Sequence, residues 1–480
     1  MNEIADEIVQ SGGIENYLYK QQCKSLLRFL TCGSVDDGKS TLIGRLLYDS
    51  YQLYDDQLLA LRNDSKTVFQ SSNDQLNFAA LVDGLHDERA QGITIDVAYR
   101  YFSTKSRKFI IADTPGHEQY TRNMATGAST SDLAILLLDA RKGIRDQTRR
   151  HTFISILFGI RNFIIAINKM DLVDYDKNVF ENIRRDYLAF IESFTMKLNI
   201  YFIPISALVG DNIIRRSQYM SWYGGSTLIQ LLDTIEIMEP MYHSQFLRFP
   251  VQCVNYDHMD FRGYSGTVAS GRLCVGKKIK VFPSGAISVI RRIVTFRKDL
   301  ENAVAGDPVT VVLEHDLDIN RGDIFLDVDD NILPVNSAQV DVVWMSVQNL
   351  SKGIIFNVQI AHKRIGTCVK RLHYQIDINN STYLMVDHLP LNSIGLVDLV
   401  FDESMILDPY SYSPVTGSMI FIDPYTNCTI GAGMVRLPLH GIVKSGKYTT
   451  FELELHALIR RHFPHWGMND LLMENCDVSS

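Results

Sequence analysis

A chain of 480 residues is long enough for about three domains of ordinary size. Hydrophobic residues make up 46% and charged residues 21%, the balance of a globular protein with sizeable cores rather than a disordered or fibrous one. A net charge of −8 argues against a general nucleic-acid binder, which is usually basic.

Residues 1–25 are polar and weakly patterned, and are expected to form a leader that packs on the first domain or frays. Their acidic start, Met1 to Glu7, lacks the basic-then-apolar order of a signal peptide. From 26 to about 240, apolar strands alternate with helical patterns. Strands are predicted at 26–32, 97–103, 108–113, 132–139, 162–168 and 201–206, and helices at 39–48, 117–128, 147–158, 176–198 and 226–237. This alternation predicts an α/β domain, a doubly wound and mainly parallel sheet with helices on both faces. Residues 49–92 interrupt the rhythm with a polar stretch that reads as functional and mobile, or as partly disordered. Beyond Pro240, short apolar runs separated by Gly-, Asp- and Asn-rich turns predict two antiparallel β-barrels, 241–334 and 335–445, followed by a tail at 446–480. Seven dispersed cysteines without a C-x-x-C pair read as reduced thiols rather than a disulfide framework or zinc site. No apolar run nears the ~20 residues that span a bilayer, so a cytoplasmic protein without membrane contact is expected.

The chemistry begins at Gly33-Ser34-Val35-Asp36-Asp37-Gly38-Lys39-Ser40, which reads G-x-x-x-x-G-K-S between an apolar strand and a helix opening at Thr41. Glycines let such a loop curl its backbone N–H groups toward phosphates, and the helix N-terminus adds the positive end of its dipole. Lys39 is expected to reach the terminal phosphates and the Ser40 hydroxyl to ligate Mg²⁺. Asp113-Thr114-Pro115-Gly116 reads D-x-x-G at a strand end, placing Asp113 to hold Mg²⁺ through a water and the Gly116 N–H to meet a γ-phosphate. Asn168-Lys169-Met170-Asp171 reads N-K-x-D, and suits guanine. The Asp171 carboxylate can accept from N1–H and the 2-amino group while the Lys169 stem covers the base. Ser206-Ala207 can offer a backbone N–H to guanine O6. Thr94 is expected to give Mg²⁺ an oxygen, and His117 to orient the attacking water, with Val35 and Ile93 as an apolar gate beside it. Lys39, Thr94 and His117 are thus the candidate catalytic residues. A second near-match, Gly441 to Tyr448, carries tyrosine in place of the Mg²⁺-binding serine or threonine and precedes a strand-like run, so it reads as a basic turn.

With these residues in place the chain resembles the translational GTPases. Among them it is most similar to the family of large GTPase subunits of bacterial sulfate adenylyltransferases (ATP sulfurylases). The resemblance covers about residues 25–440. It is carried by Gly33 to Asp49, Gly92 to Phe102, Asp113 to Met124, Asp260 to Thr267 and Gly431 to Met434. Asp37, where elongation factors usually have histidine, tips the match toward the sulfate family. The resemblance implies GTP and Mg²⁺ as cofactors, with ATP and sulfate as substrates of a complex with a smaller catalytic subunit. GTP hydrolysis on this chain would then drive formation of adenosine 5′-phosphosulfate and diphosphate. Ala90, where the family usually has glutamate, and Ser413-Pro414-Val415, where it tends to be basic, depart from the pattern. The competing reading is an elongation-factor-like GTPase that delivers aminoacyl-tRNA to ribosomes. Acidic net charge and Asp37 weigh against it.

Overall fold

The computed structural model describes residue 9 and residues 12–50, 94–192, 194, 197–236, 246–257, 261–296, 298–377 and 382–439. Ala90, Ile93, the 441–448 turn, the tail and nearly all of the 49–92 stretch lie outside the described residues.

Ile14–Cys23 forms a helix (α1) with no buried residue, so local propensity rather than a packed apolar face accounts for it. Six strands then make one sheet: β1 (Ser25–Gly33), β2 (Ala98–Ser103), β3 (Arg107–Asp113), β4 (Leu133–Asp139), β5 (Asn162–Asn168) and β6 (Asn199–Pro204). Their order is β2-β3-β1-β4-β5-β6, with every pairing parallel except β2 with β3. Helices α2 (Lys39–Asp49), α3 (Thr121–Ser129), α4 (Asp146–Leu157), α5 (Lys177–Ile191) and α6 (Leu228–Thr234) complete the domain. Every residue of β4 and β5 is buried, which is why both read as unbroken apolar runs. In α5, Phe180, Ile183, Tyr187 and Phe190 recur at three- and four-residue steps and are buried, while the Asp176 carboxylate caps the first turn through the Asn178 N–H at 2.7 Å. Apolar clusters lie on both faces of the sheet.

Two antiparallel sheets follow. Strands Arg248–Asp257, Phe261–Thr267, Pro308–Leu313, Ile287–Val294, Lys278–Phe282 and Ile324–Asp327 pair in that order and close on themselves as a six-stranded barrel. A second closed ring is made by Val335–Trp344, Ile394–Met405, Lys363–Asp377, Ile355–Ile360, Ser418–Ile422 and Thr429–Leu439. Closure leaves no unpaired edge within either ring. The second barrel packs on the α/β domain. Val343, Tyr374, Ile376, Leu396 and Met434 share an apolar cluster with that domain, and the Tyr410 hydroxyl donates to the Phe158 carbonyl at 3.0 Å.

Candidate functional site

Parallel pairing brings the carboxyl ends of β1, β3, β4, β5 and β6 to one edge of the sheet, where an α/β fold builds its site. Each strand delivers polar residues there: Gly33 to Lys39 after β1, Asp113 to Gly116 at β3, Asp139 at β4, Asn168 to Asp171 at β5, and Ser206-Ala207 after β6.

The loop after β1 has the shape its glycines allow. Asp36 and Gly38 both sit at positive φ, 68° and 94°, and a Cβ on Gly38 would collide with the Asn168 amide. Lys39 is 7% exposed and donates from Nζ to the carbonyls of Gly33 at 3.1 Å and Ser34 at 2.9 Å. Burial lowers its pKa, and Asp113 and Asp37 work against that shift. The Asp37 carboxylate, 2% exposed, accepts the Ser34 N–H at 2.7 Å; burial raises its pKa and Lys39 opposes the rise. Val35, Ser40 and Thr41 are half-buried along the loop and the first turn of α2.

The turn after β3 presses on this loop. A Cβ on Gly116 would strike Lys39 Nζ and the Gly33 carbonyl, so only glycine permits the approach. Thr114, fully buried, donates to the Thr31 carbonyl at 2.7 Å, and Thr31 donates to Asp113 at 3.4 Å. Pro115 is buried beside them, and Thr94 is 8% exposed. Next to Thr94, the Ile95 carbonyl accepts from Asn123 on α3 at 2.7 Å, which ties the start of β2 to the helix after the D-T-P-G turn. His117 is exposed. Its Nδ1 accepts the Gln119 N–H at 3.3 Å, a local bond at the head of a short 3₁₀ turn, Glu118–Tyr120.

The N-K-x-D segment ties neighbouring loops together. Asn168 Nδ2 donates to the Asp37 carbonyl at 2.8 Å, and its Oδ1 accepts the Ala207 N–H at 2.9 Å, so this side chain braces the phosphate loop against the β6 loop. Lys169, at φ 63°, donates to the Asp36 carbonyl and to Asp139 at 3.0 Å. Met170 is fully buried, Asp171 is half-buried on the turn Met170–Val173, and Ser206 is buried with its hydroxyl accepting the Val209 N–H at 3.3 Å.

Asp139 is the residue that motif reading passed over. Its carboxylate is fully buried and takes Lys169 together with two guanidinium bonds from Arg141, at 3.0 and 2.7 Å. Burial alone would raise its pKa, but the Arg141 and Lys169 bonds outweigh burial and hold it well below the usual carboxylate range. The available signal was positional, an acidic residue closing the apolar run of β4 as Asp113 closes β3.

Two buried polar atoms at the loop, Ser34 Oγ and Asp37 Oδ1, have no hydrogen-bond partner among the described residues, as expected of a site built to meet a polar ligand. Among the described residues no group of three or more His, Cys, Asp or Glu side chains could hold a metal ion. Ser40 and Thr94 carry hydroxyls and Asp113 a carboxylate, oxygen donors of the kind Mg²⁺ takes when substrate phosphates and water complete its shell.

Residues 24–241 match the elongation factor Tu GTP binding domain family, and residues 337–436 the GTP-eEF1A C-terminal domain-like family. The chain is 58% identical over 472 residues to "Sulfate adenylyltransferase subunit 1" of Sodalis glossinidius, covering 98% of this chain and 99% of that protein. It is 59% identical over 470 residues to the protein of the same name from Cronobacter sakazakii, covering 98% of each chain. The chain belongs to the sulfate adenylyltransferase subunit 1 family. All the motifs of the site fall within the matched GTP-binding domain, so the nucleotide of this subunit 1 family member is GTP. The number in the family name implies a partner subunit. Solved structures of Sup35, with GDP and with GMPPNP, align at 18% identity and a TM-score of 0.39, over 87% and 90% of this chain and 95% and 98% of theirs.

Proposed function

We propose that this chain is the GTPase subunit of a heteromeric sulfate adenylyltransferase. ATP and sulfate yield adenosine 5′-phosphosulfate and diphosphate on a smaller partner subunit. Hydrolysis of GTP to GDP and phosphate on this chain drives that uphill transfer. The observation that carries the reading is identity of 58–59% across 98% of the chain to proteins bearing that name. The phosphate loop, the D-T-P-G turn and the N-K-x-D segment converge on one sheet edge and supply the nucleotide site it needs.

In this reading Gly33 to Thr41 cradle the phosphates, and Lys39, steadied by the Gly33 and Ser34 carbonyls, neutralises them. Asp113, Thr114, Pro115 and Gly116 sense the γ-phosphate. Asn168, Lys169, Met170 and Asp171, with Ser206 and Ala207, hold the guanine. Ser40, Thr94 and Asp113 would hold Mg²⁺, which supplies charge neutralisation to the transferring phosphoryl group. His117, one residue past Gly116, orients the attacking water. The module limits 26–240, 241–334 and 335–445 are proposed as the working units of this cycle. The complex is taken as a cytoplasmic heterodimer, and no helix among the described residues is long and apolar enough to cross a membrane. Delivery of aminoacyl-tRNA is the weaker reading, because the relatives at high identity carry the sulfate name.

The deciding measurement is GTP hydrolysis by the purified chain, alone and with the purified small subunit, ATP and sulfate. Stimulation that requires all three is expected. Stimulation by ribosomes with indifference to ATP and sulfate would overturn the proposal.

A further inference from the structure

We propose that Asp37 is a positioning residue whose carboxylate clasps the phosphate loop and opposes bound phosphate, so that it sets the rate of nucleotide release. Ser34 is held through both of its backbone polar groups. Its N–H donates to Asp37 Oδ2 at 2.7 Å, and its carbonyl accepts Lys39 Nζ at 2.9 Å. The Asp37 backbone N–H adds a second bond to the same carbonyl at 3.3 Å. Carboxylate and ammonium are thereby joined through one residue, both of them almost wholly out of water. The other oxygen, Asp37 Oδ1, is buried without a hydrogen-bond partner among the described residues, so this charge is not spent on further contacts.

The charged groups that act on Asp37 are Lys39 and Lys169, which attract it, and Asp139, which repels it. Lys39 in turn feels Asp113, Asp37 and Asp36. Phosphates arriving at the loop compete for the same Lys39 cation and bring negative charge toward a buried carboxylate. Charges removed from water interact more strongly than surface charges, so that opposition is not screened away. A group that disfavours bound phosphate shifts the equilibrium by its differential interaction, and this falls mainly on release. A GTPase that must cycle repeatedly gains faster discharge of GDP from such a device.

The inference rests on the GTP reading of the site and not on coupling to sulfate. Asn at position 37 keeps an oxygen for the Ser34 N–H but removes the charge, which separates brace from electrostatics. Release of fluorescent GDP is timed on the purified full chain, and GDP, GTP and guanosine affinities are measured beside it. Asp37→Asn is expected to slow release and tighten GDP and GTP on the order of tenfold, with guanosine affinity unchanged. Asp37→His provides a second uncharged replacement, expected to act in the same direction, and thermal melting confirms that each variant is folded. Release at or above the wild-type rate in the folded variants, or equal tightening of guanosine, would overturn the role. Failure of the wild-type chain to bind GDP would instead end the nucleotide reading itself.

Discussion

Asn168 and His117 show how far a motif specifies the work of a single side chain. N-K-x-D locates Asn168 correctly at the end of β5, yet its two bonds go to the Asp37 carbonyl and the Ala207 N–H, 131 and 39 residues away. Sequence spacing carries no information on such partners. They depend on the parallel register that sets β1, β5 and β6 side by side. His117 was equally easy to locate, and the structure gives its Nδ1 a local bond to the Gln119 N–H at the protein surface. That bond is weak and solvent-exposed, so it costs little to exchange for a water when the γ-phosphate is in place. His117→Ala is therefore expected to keep GTP affinity while slowing single-turnover hydrolysis by ~10²-fold or more, the loss that accompanies removal of a water-positioning group. Unchanged turnover would leave His117 only the surface role that its present bond describes.

At the scale of elements, legibility followed burial. β4 and β5 were plain because strands buried on both faces must be continuously apolar, and α5 because its aromatic residues repeat at helical steps. α1 was missed because nothing in it is buried, so no apolar periodicity was required of it. α4 was placed within a residue at each end, but its buried polar content was invisible. His151 on α4 is 3% exposed, with Nδ1 lacking a partner among the described residues. Burial pushes its pKa down to about 3, and the nearby charges of Lys39 and Arg150 push the same way. The folded value lies below the unfolded one, near 6.5, so below pH ~6.5 the native state binds fewer protons at this group than the unfolded state does. Stability is unaffected by this group above pH ~6.5 and declines progressively below it, by about 2 kcal/mol at pH 5. Denaturant unfolding of His151→Gln should show that much less decline between pH 7 and pH 5. Parallel pH profiles for variant and wild type would mean that His151 takes up its proton without unfolding.

For the whole molecule, the question is how a change at the GTP site reaches surfaces far from it, and the links between modules determine the answer. The α/β domain touches the second barrel through a shared apolar cluster and the Tyr410–Phe158 bond. The two barrels are joined to each other by charge. Arg248, at the start of the first barrel, is 3% exposed and binds Asp330 at 2.5 Å and Asp408 at 3.0 Å, while Thr416 donates to Asp408 at 2.7 Å. Ile324 and Leu326 pack with Ile406 in a small cluster that also spans the two barrels. Burial disfavours the Arg248 cation, but the two carboxylates more than compensate and raise its pKa. None of this was readable from sequence, since Arg248 and Asp408 are 160 residues apart and each looks like an ordinary surface charge. A buried ion triad adds little compared with an apolar replacement of the whole set, but removing one member strands the others. Arg248→Met should therefore cost about 3–5 kcal/mol, leaving two carboxylates buried without their cation. Adding Asp330→Asn and Asp408→Asn should recover much of that loss, because the stranded charges are then gone. Equilibrium unfolding of the three proteins tests the sequence of effects. Equal midpoints for wild type and Arg248→Met would mean that the barrels do not depend on this link, and that movement of the α/β domain need not carry both barrels together.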